Sequence, residues 1–568
     1  MLYELEIAVN KLIHKLYPSA SNIVIQFERP KSADMGDLSL STAMVLAKQL
    51  KKSPRDIANE ISTQLKLINE FDRVEIAGPG FLNFFLKHEV LTAFIQKILN
   101  NNESLYREYN EIPQSVYMEF VSANPTGPLH VGHGRSAVIG SALARILKKS
   151  NYSVHCDYYV NDAGTQIDTL ACSVILRYVQ SQTPELNYPT TCYQGEYITE
   201  IASELNTEIL PQAVSSIVEH ESKWSSLEDT EAQRTLITII KSLIPDSTYK
   251  LIKERAVSYI IDLIRTDLDH INIHYDQWFL ESDLIKNDAV KHCYTQLKAN
   301  NTIYEKDGAQ WFTSSQFNDE KDRVIIRSNH EHTYFFNDIA YHYQKYLKAD
   351  KVINVIGSDH HGYGPRLEAA KNALGFKDKE LIMRYCQFAI LLRGKEKVSM
   401  STRSGQYITL HQLIDEVGPG PTVFFYALKK PDQHLEFDIE LAKKQSSDNP
   451  YYYVQYAHAR ICQLISKAQN VKSQEMTLLS HPTERQIMNQ IYQFDTFISR
   501  ASRDLSPHYV CFYLMDLAKL VHQYYNDVNI LKDSDLKRLS ARINLLECTK
   551  ITLKEGLSLL GIEPKERM

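Results

Sequence analysis

The spacing of hydrophobic and polar positions changes character along this 568-residue chain, and the first stretch mixes helical with strand-like periods. A helical pattern over Met1–Leu16 is followed by a strand-like run at Asn22–Phe27 and by further helical segments. Within Val74–Leu86, two apolar segments flank a Gly-Pro-Gly, which predicts a bend between two strands. We therefore predict an N-terminal α+β domain over residues 1–110.

Residues 111–431 alternate short β-rich runs with helical patterns, which is typical of a parallel α/β sheet. The polar, mainly helical stretch at about 181–255 indicates a helical insertion in this domain. The run TIYEKDGAQWF predicts a hairpin that turns at Asp307-Gly308. The predicted strands are Val116–Val121, Ser153–Val160, Lys351–Gly357 and Tyr385–Leu392.

Residues 432–568 read as a linker followed, from about Tyr451, by a helix bundle, because strand alternation stops there. From residue 451 onward the chain carries 15 Lys and Arg against 12 Asp and Glu, although its total net charge is −6. Basic residues mixed with aromatic stacking surfaces suit an RNA-binding domain, and a bundle core with solvated charges is the alternative. The aromatic residues are Tyr451, Tyr452, Tyr453, Tyr456, Phe512, Tyr513, Tyr524 and Tyr525.

The composition, with 43% hydrophobic and 23% charged residues, is that of an ordinary globular protein and excludes a disordered chain, a collagen-like fibre and a polycation. No apolar run approaches the roughly 18–20 residues of a membrane helix, and the N-terminus lacks the pattern of a signal peptide. Eight cysteines without a CxxC pair indicate reduced thiols. We expect a cytoplasmic protein that does not contact a membrane.

The strongest local pattern for chemistry is VYMEFVSANPTGPLHVGH, in which a strand ends at Val121 and a helix begins near Gly132. Helix N-termini carry unpaired N–H groups and partial positive charge, so a strand–turn–helix of this kind suits phosphate binding. His130 and His133 bracket Val131-Gly132, which lets two imidazoles face one anion. The pattern is neither a Walker A nor a GxGxxG. The alternative is a histidine pair that is buried or only caps the helix.

A second segment, Leu391–Gly418, contains Lys395, Lys397 and Arg403 in a loop rich in Gly and Ser. Such a loop can close cations over a polyphosphate during its transfer. The alternative is a solvated turn.

These two segments resemble the HIGH and KMSKS motifs of class I aminoacyl-tRNA synthetases, with HVGH in the first place and VSMSTR in the second. The chain as a whole resembles the arginyl-tRNA synthetase family, over nearly its full length. Further segments with that family's local pattern are Asp34–Lys48, Val74–Leu86, Glu119–His133, Asn161–Asp168, Asp359–Leu367, Tyr452–Ile461 and Leu559–Met568.

The resemblance implies a multidomain α/β plus all-α protein. It would have a Rossmann-like catalytic domain, an N-terminal tRNA-binding domain and a C-terminal helical anticodon-binding bundle. It also implies an arginine–tRNA ligase that uses ATP, as Mg²⁺–ATP, to activate L-arginine and then charges tRNA(Arg). Members of the family generally need tRNA even for activation. We expect a monomer.

The same resemblance implies roles for individual residues. Catalysis falls to His130, His133 and Arg403. ATP binding falls to Pro125, Gly132, His130, His133, His360, Lys395, Lys397, Ser399, Met400 and Ser401. Arginine binding falls to Glu119, Ser122, Asn124, Glu281, Tyr334, Asp338 and Asp359. Contact with tRNA falls to Tyr453, Tyr456 and Arg460.

Three of the arginine-site residues have ordinary structural alternatives. Asp338 can be the N-cap of a helix beginning near Ile339, Tyr334 can be a core residue, and Glu281 can be a surface charge at a strand end. Several histidines, namely His330, His332, His342, His360 and His361, suggest a metal site. We predict none, because no HExxH spacing or cysteine cluster accompanies them.

The chain departs from the family pattern at the second motif, where Ser399 and Thr402 stand in place of lysines. The PTGPL before HVGH offers no lysine either, so Arg393, Lys395, Lys397 or Arg403 has to supply the charge. The departure keeps two other functions open. One is a catalytically silent tRNA-binding paralogue, and the other is a different HxGH nucleotidyl transferase or a synthetase for another amino acid.

Overall fold

The computed structural model describes residues 2–20, 25–30, 32–101, 112–205, 211–225, 227–394, 396–398, 408–468 and 475–568. The chain forms two compact units, one made of residues 1–110 with 444–568 and the other of residues 111–443. None of the helices in the described ranges combines the length and the apolar content needed to cross a bilayer.

The N-terminal part of the first unit is a three-stranded antiparallel sheet, ordered β1-β3-β2, with helices around it. Its strands are β1 (Leu38–Leu40), β2 (Phe71–Ala77) and β3 (Phe81–Leu86). Its helices are α1 (Leu2–Leu16), α2 (Thr42–Leu50), α3 (Pro54–Leu65) and α4 (His88–Asn101).

The bend predicted at Gly-Pro-Gly is confirmed as the turn between β2 and β3, where Gly78 and Gly80 adopt φ of 52° and 146°. Such positive φ angles favour glycine, because it has no Cβ. The strand predicted at Asn22–Phe27 is wrong in its described part, since Ile25–Phe27 lie in no strand. Glu28 alone forms an isolated bridge with Ser39 there.

The second unit is built on a five-stranded, all-parallel sheet ordered β11-β10-β4-β5-β6. Its strands are β4 (Ser115–Phe120), β5 (Ser153–Val160), β6 (Gln277–Leu280), β10 (Lys351–Gly357) and β11 (Glu380–Cys386). β4 pairs with β5 on one side and with β10 on the other, so the strand order reverses between β4 and β10. In open α/β sheets, ligands bind at the carboxyl ends of the strands where the order reverses in this way.

Two smaller three-stranded sheets accompany the parallel sheet. The first consists of β7 (Ile303–Lys306), β8 (Ala309–Phe312) and β9 (Arg323–Ile326), and the second of β12 (Ala389–Arg393), β13 (Glu396–Lys397) and β14 (Leu435–Asp438). The predicted hairpin is confirmed between β7 and β8. Its two turn residues, Asp307 and Gly308, both have positive φ, as a tight two-residue turn requires.

Helices cover the sheet and form most of the described part of residues 181–255. The first group is α5 (Val131–Lys149), α6 (Thr165–Gln182), α7 (Glu196–Ser203), α8 (Pro211–Glu219), α9 (Ser222–Ser225), α10 (Asp229–Leu243) and α11 (Asp246–His270). The second group is α12 (Glu281–Lys286), α13 (Ala289–Ala299), α14 (Tyr334–Lys348), α15 (Gly364–Ala373), α16 (Leu410–Val417), α17 (Pro419–Ala427) and α18 (Ile439–Lys443).

The prediction of one strand over Tyr385–Leu392 is wrong, because the chain changes sheets within that run. β11 ends at Cys386 in the parallel sheet, and β12 begins at Ala389 in the sheet with β13 and β14. Between them the Gln387 N–H donates to the carbonyl of Pro431 rather than to a strand of either sheet. The apolar pattern continues across the break, which hides it from a reading of hydrophobicity.

The described residues in the C-terminal part of the first unit form helices joined by turns and loops, with no strand among them, so the predicted helix bundle is confirmed. Its helices are α19 (Pro450–Lys467), α20 (Pro482–Tyr492), α21 (Phe494–Arg503), α22 (His508–Asp527) and α23 (Leu536–Leu560). Tyr451, Tyr513 and Tyr524 are buried in this bundle, whereas Tyr456 and Tyr525 are 46% and 42% exposed. The aromatic set named from the sequence therefore divides into core residues and a surface group.

Candidate active site

The HVGH segment forms the start of α5, to which residues 121–129 lead from the carboxyl end of the central strand β4. His130 is the N-cap, and its Nδ1 accepts the backbone N–H of Gly132 at 3.0 Å. The hydrogen bonding is reciprocal, because the Nδ1 of His133 accepts the backbone N–H of His130 at 3.3 Å. The two rings stack with centroids 3.7 Å apart. A side chain at Gly132 would collide with the His130 ring, so glycine is needed for this packing.

Both imidazoles are neutral at physiological pH. Burial lowers the pKa of His130, and burial together with the neighbouring His130 lowers the pKa of His133 to about 3. Because Nδ1 of each ring accepts a backbone N–H, the proton of each neutral ring is on Nε2. The histidines therefore do cap the helix, as the alternative reading held, and they also present Nε2–H donors at a helix N-terminus. This is an arrangement for binding an anion.

The segments that flank the predicted signature loop are close to HVGH. Thr409 pairs with His130 in an antiparallel bridge, and the Leu410 N–H donates to the Leu129 carbonyl at 2.7 Å. On the other flank, the short β12–β13 hairpin places Lys397 opposite Leu392, and Lys397 is exposed. Five predicted site residues lie outside the described residues, namely Lys395, Ser399, Met400, Ser401 and Arg403.

Arg393, one of the cations proposed from the sequence, is held in ion pairs with two carboxylates. Its guanidinium binds both carboxylate oxygens of Glu416, at 2.7 and 2.9 Å, and also contacts Glu440 at 3.2 Å. The Arg393 guanidinium, with Lys443, lowers the pKa of Glu416 to about 2. Of the other cations proposed from the sequence, Lys397 is exposed, and Lys395 and Arg403 lie outside the described residues.

Arg135 holds the N-terminal part of α5 in place. Its side chain is fully buried, and its guanidinium donates to three backbone carbonyls, those of Gln387, Gln433 and Lys430, each at 2.7 Å. The carbonyls of Lys430 and Gln433 lie just before β14, and that of Gln387 lies in the break between β11 and β12. Arg135 thereby fixes the helix that carries HVGH against the small sheet that carries the start of the signature loop.

The turn that leaves β4 is strained. Val121 and Ser122 have φ of 69° and 46°, a conformation that is unfavourable for side chains with a Cβ and most of all for a β-branched valine. The Ser122 hydroxyl accepts the backbone N–H of Tyr159 at 3.1 Å, which ties the turn to β5. Beyond it, Asn124 is exposed and donates to Gln166 at 2.8 Å, and Pro125 is buried.

Glu281 is a buried carboxylate at the carboxyl end of β6, so the surface-charge alternative is wrong. Asn337 on α14 donates to its Oε1 at 2.6 Å, and the amide of Asn161 donates to its Oε2 at 2.9 Å. Tyr159 is also hydrogen-bonded to it. Burial raises the pKa of Glu281 despite these donors.

Asp338 lies inside α14, whose N-cap is Thr333, so the N-cap alternative is wrong as well. Tyr363, which precedes α15, donates its hydroxyl proton to Asp338 Oδ2. Burial is the main cause that raises the pKa of Asp338 to about 7, and the charges of Glu119 and Glu281 raise it further. The bond from Tyr363 and the charge of Lys345 act in the opposite direction.

Glu119, on β4, forms an ion pair with Lys345, whose side chain is completely buried, at 2.5 Å. The same ammonium donates to Asn354 at 3.2 Å. Asn354 donates to His342 Nε2, and His342 donates through Nδ1 to the Asp338 carbonyl. Both nitrogens of His342 are therefore engaged within this buried network.

Three carboxylates thus act on one another at the carboxyl ends of the strands, namely Glu119, Glu281 and Asp338, with Lys345 as their buried cation. One ammonium does not balance three carboxylates, so the site favours a ligand with a positive group. Planar carboxylates are the acceptors that bind a guanidinium best, because the fork of N–H donors matches their two oxygens.

Three further residues predicted for the site, Tyr334, Asp359 and His360, are exposed. Tyr334 is the first residue of α14 and is 57% exposed, so it is not a core residue. Its hydroxyl lies so close to Gly164 that a Cβ there would approach it to 2.9 Å. Asp359 and His360, in the 3₁₀ turn after β10, are exposed and 3.6 Å apart.

Five residues with clear contacts to the carboxylates were not selected from the sequence, namely Tyr159, Asn161, Asn337, Lys345 and Tyr363. Asn161 and Tyr363 lie in segments that carry the family resemblance, NDAGTQID and DHHGYGPRL, so a signal for them existed. Tyr159 and Asn337 have no such signal, because one lies in an apolar strand and the other in a helix.

In the other unit, Tyr453, Tyr456 and Arg460 share one face of α19. The Arg460 guanidinium lies over the ring of Tyr456, at 4.4 Å, and over that of Tyr525, at 4.1 Å. His522 on α22 stacks beside Tyr456 and binds the Tyr453 carbonyl. A cavity of about 260 Å³ opens here, lined by Gln445, Ser446, Ser447, Tyr452, Tyr453, Tyr456, His522 and Met568. Exposed rings with an adjacent guanidinium are a surface for stacking nucleobases.

Comparison with known proteins agrees with this architecture. Residues 94–419 match the family described as tRNA synthetases class I (R), catalytic domain, so the parallel sheet and HVGH define a class I aminoacyl-tRNA synthetase. Residues 4–86 match the arginyl tRNA synthetase N terminal domain, and residues 454–568 match the DALR anticodon binding domain. The chain belongs to the arginyl-tRNA synthetase family. The fold class and the family predicted from the sequence are confirmed.

Individual relatives are similar over the whole length. The arginine–tRNA ligase of Dechloromonas aromatica is 39% identical, over 100% of this chain and 99% of that protein. The arginine–tRNA ligase of Acidithiobacillus ferrooxidans is 39% identical, over 96% of this chain and 95% of that protein. The structure of the Thermus thermophilus arginyl-tRNA synthetase has the same fold, with a TM-score of 0.79, 21% identity and complete coverage of both chains.

The buried ion pair of the active site predicts a large effect on stability. Lys345→Met keeps most of the side-chain volume but leaves the Glu119 carboxylate without its cation, which should cost about 3–5 kcal/mol of unfolding free energy. Denaturant unfolding of the catalytic unit would measure this loss. Lys348→Met, an exposed lysine on the same helix, is the matched control and should change stability little. Equal losses in the two variants would show that the pair does not stabilise the fold.

Proposed function

We propose that this chain activates L-arginine with ATP and transfers the arginyl group to the terminal ribose of tRNA(Arg), giving arginyl-tRNA, AMP and diphosphate. The observation that carries the proposal is the pairing of two sites at one edge of the sheet. The anion-binding HVGH turn follows β4, and the carboxylates of Glu119, Glu281 and Asp338 lie on β4, after β6 and on α14. When ATP occupies the HVGH site, an α-amino acid with a cationic side chain can place that side chain at the carboxylates and its own carboxylate next to the ATP.

The phosphate end is served by neutral hydrogen-bond donors. The Nε2–H groups of His130 and His133, with the N-terminus of α5, hold phosphate oxygens of ATP, and Gly132 and Pro125 shape the turn. Mg²⁺ enters with the nucleotide as Mg²⁺–ATP and neutralises part of the triphosphate charge. The arginine carboxylate attacks the α-phosphorus, the bond to diphosphate breaks, and the donors stabilise the charge that develops on the phosphate oxygens.

The amino-acid end is served by acceptors. Glu281 and Asp338 bind the guanidinium, and Tyr363 and Asn337 keep the two carboxylates oriented. Tyr334 borders the pocket at its open side. Glu119, Ser122, Asn124 and Asp359 surround the α-amino group, and His360 contacts the adenosine.

In the second step a ribose hydroxyl of tRNA attacks the arginyl carbonyl, and AMP leaves. We assign the anticodon arm to the face formed by Tyr453, Tyr456 and Arg460, and a further tRNA contact to the N-terminal domain. The division into residues 1–110, 111–431 and 432–568 is part of this proposal. So is the expectation of a cytoplasmic monomer.

The activity is tested by ATP–diphosphate exchange with each amino acid, with and without tRNA(Arg), followed by aminoacylation. Of the amino acids, we expect only arginine to support exchange, and only when tRNA(Arg) is present. Exchange with another amino acid would reassign the substrate. Tight tRNA binding without exchange or charging would instead identify a silent tRNA-binding paralogue.

The raised pKa of Asp338 makes arginine binding sensitive to pH. Only the carboxylate form pairs with a guanidinium, and the pKa is about 7 in the unliganded site. The arginine KM should therefore fall as pH rises from 6 to 8, and Asp338→Asn should abolish this step. At pH 8 the variant should raise the arginine KM about tenfold or more, since a charge-assisted hydrogen bond contributes roughly 1.5–3 kcal/mol.

Two controls accompany this measurement, which uses initial rates with tRNA present. The KM for ATP should change little in Asp338→Asn. Asp283→Asn removes a carboxylate that pairs with Lys286 on α12, near Glu281, and should leave the arginine KM unchanged. An unaltered arginine KM in Asp338→Asn would remove that residue from the pocket.

Arg403 is our candidate for the cation that replaces the lysine of the signature loop, since it directly follows the motif. Arg403→Ala should lower kcat of activation by roughly 10²–10³-fold, the effect of losing one preorganised charge donor. The KM for ATP should change less, because the contact matures in the transition state. The measurement is pre-steady-state adenylate formation in the presence of tRNA.

Arg393→Ala is the matched control, because its guanidinium is held by Glu416 and Glu440. It should affect stability more than kcat. If Arg403→Ala resembles the wild type while Lys395→Ala or Lys397→Ala loses activity, the cation lies upstream of the motif. If all three resemble the wild type, the loop has no catalytic part.

The aromatic face of α19 predicts a stacking contribution to tRNA affinity. Tyr456→Ala should weaken tRNA binding by about 1–3 kcal/mol, the usual loss for one stacked base. Tyr456→Phe keeps the ring and loses only the hydroxyl that binds Arg460, so it should bind nearly as the wild type does. Filter binding at several salt concentrations would measure both. Equal affinities for the Ala and Phe variants would contradict base stacking on Tyr456.

A further inference from the structure

A cluster of metal-ligating side chains, separate from the active site, lies where the end of α11 meets the start of α16. It consists of Asp267, His270 and His411, and one ligand atom of each lies within 4.8 Å of the others. Among the described residues, these form the one group of three such side chains at that spacing. Asp267 is buried, whereas the imidazoles of His270 and His411 are exposed.

The orientation of His411 is that of a metal ligand with a supporting carboxylate. Its Nδ1 faces Asp267 Oδ1 at 3.1 Å, and its Nε2 faces Asp415 Oδ2 at 3.3 Å. A metal-bound histidine usually gives its other N–H to a carboxylate, which fixes the tautomer and the ring. Both ring nitrogens of His411 contact carboxylates, and an ion bound between Nδ1 and Asp267 would replace that contact while the Nε2–H stayed with Asp415.

The distances suit a small divalent cation. Ligand atoms around a tetrahedral zinc ion, with bonds of about 2 Å, lie roughly 3.3 Å apart. The separation of 3.1 Å between His411 Nδ1 and Asp267 Oδ1 is close to that value. His270 is one helical turn beyond Asp267 on α11, and its exposed side chain has room to close the remaining distance.

The charges around Asp267 also favour a cation. The groups that act on its carboxylate are His411, His270 and the second carboxylate of Asp415, and no lysine or arginine is among them. A buried carboxylate normally requires a cationic partner or several donors. Next to a second carboxylate, this buried carboxylate is therefore a position that a divalent ion would stabilise.

We propose that Asp267, His270 and His411 bind one divalent transition-metal ion of the zinc type, with water in the open position and Asp415 orienting His411. Imidazole and carboxylate ligands together suit this class of metal. The ion would join α11 to α16, whose first residue, Leu410, bonds to Leu129 just before HVGH. None of these ligands takes part in the proposed reaction, so zinc binding and arginine activation can be tested separately.

The test uses the full-length chain, freed of metal with a chelator, and a chromophoric indicator that competes for added Zn²⁺. We expect one equivalent of Zn²⁺ bound by the wild type, and this equivalent lost in His270→Ala and in His411→Ala. Asp415→Asn should weaken zinc affinity about 10–100-fold, as loss of a supporting carboxylate does. Zinc should raise the melting temperature of the wild type and of none of the histidine variants.

His274→Ala is the matched control, because this exposed histidine lies just after α11 and pairs with Asp269 rather than with the cluster. It should keep the zinc equivalent. Absence of stoichiometric zinc in the wild type would overturn the proposal, and so would zinc retained by both His270→Ala and His411→Ala. If either variant fails to fold, Asp415→Asn still decides, since that carboxylate is 68% exposed. Unchanged affinity in it would remove the supporting carboxylate on which the assignment depends.

Discussion

The parallel pairing of β4 with both β5 and β10 determines where the functional side chains of the catalytic unit lie. Parallel strands end at the same edge of a sheet, so the turns that follow them meet there. HVGH follows β4, Asp359 and His360 follow β10, and Glu281 follows β6 in this way. The strained turn at Val121 is a local cost of that arrangement, because the chain has to leave the central strand sharply before α5 begins.

Electrostatics then separates the two ends of the site. At the phosphate end the donors are neutral, since burial holds the pKa of His133 at about 3 and both rings accept at Nδ1. At the amino-acid end the acceptors outnumber their single buried cation, Lys345. The histidines can therefore donate to an anion without carrying charge, while the carboxylates are incomplete without a cationic ligand. Both effects depend on burial, which lowers the pKa of the two histidines and raises the pKa of Glu281 and Asp338.

The sequence predicted the parts of the site that local chain order determines. The strand, turn and helix around HVGH and the hairpin at Asp307-Gly308 follow from a few neighbouring residues. The break at Gln387 could not be predicted, because the apolar run continues through it and only pairing with distant strands separates the halves. The bond from Tyr363 to Asp338 was likewise hidden, because it joins two elements that only the folded sheet brings together.

Arg135 has a consequence for the electric potential at the start of α5. Its two Nη groups donate to three carbonyl groups, which carry no net charge, and the charge of Asp432 also acts on it. The buried guanidinium, two residues after His133, thus adds positive charge, offset in part by Asp432, to the partial charge of the helix N-terminus. The field that attracts a polyphosphate is in this way built partly into the scaffold. In the proposed reaction, a chain with few lysines in its signature loop can draw on this potential.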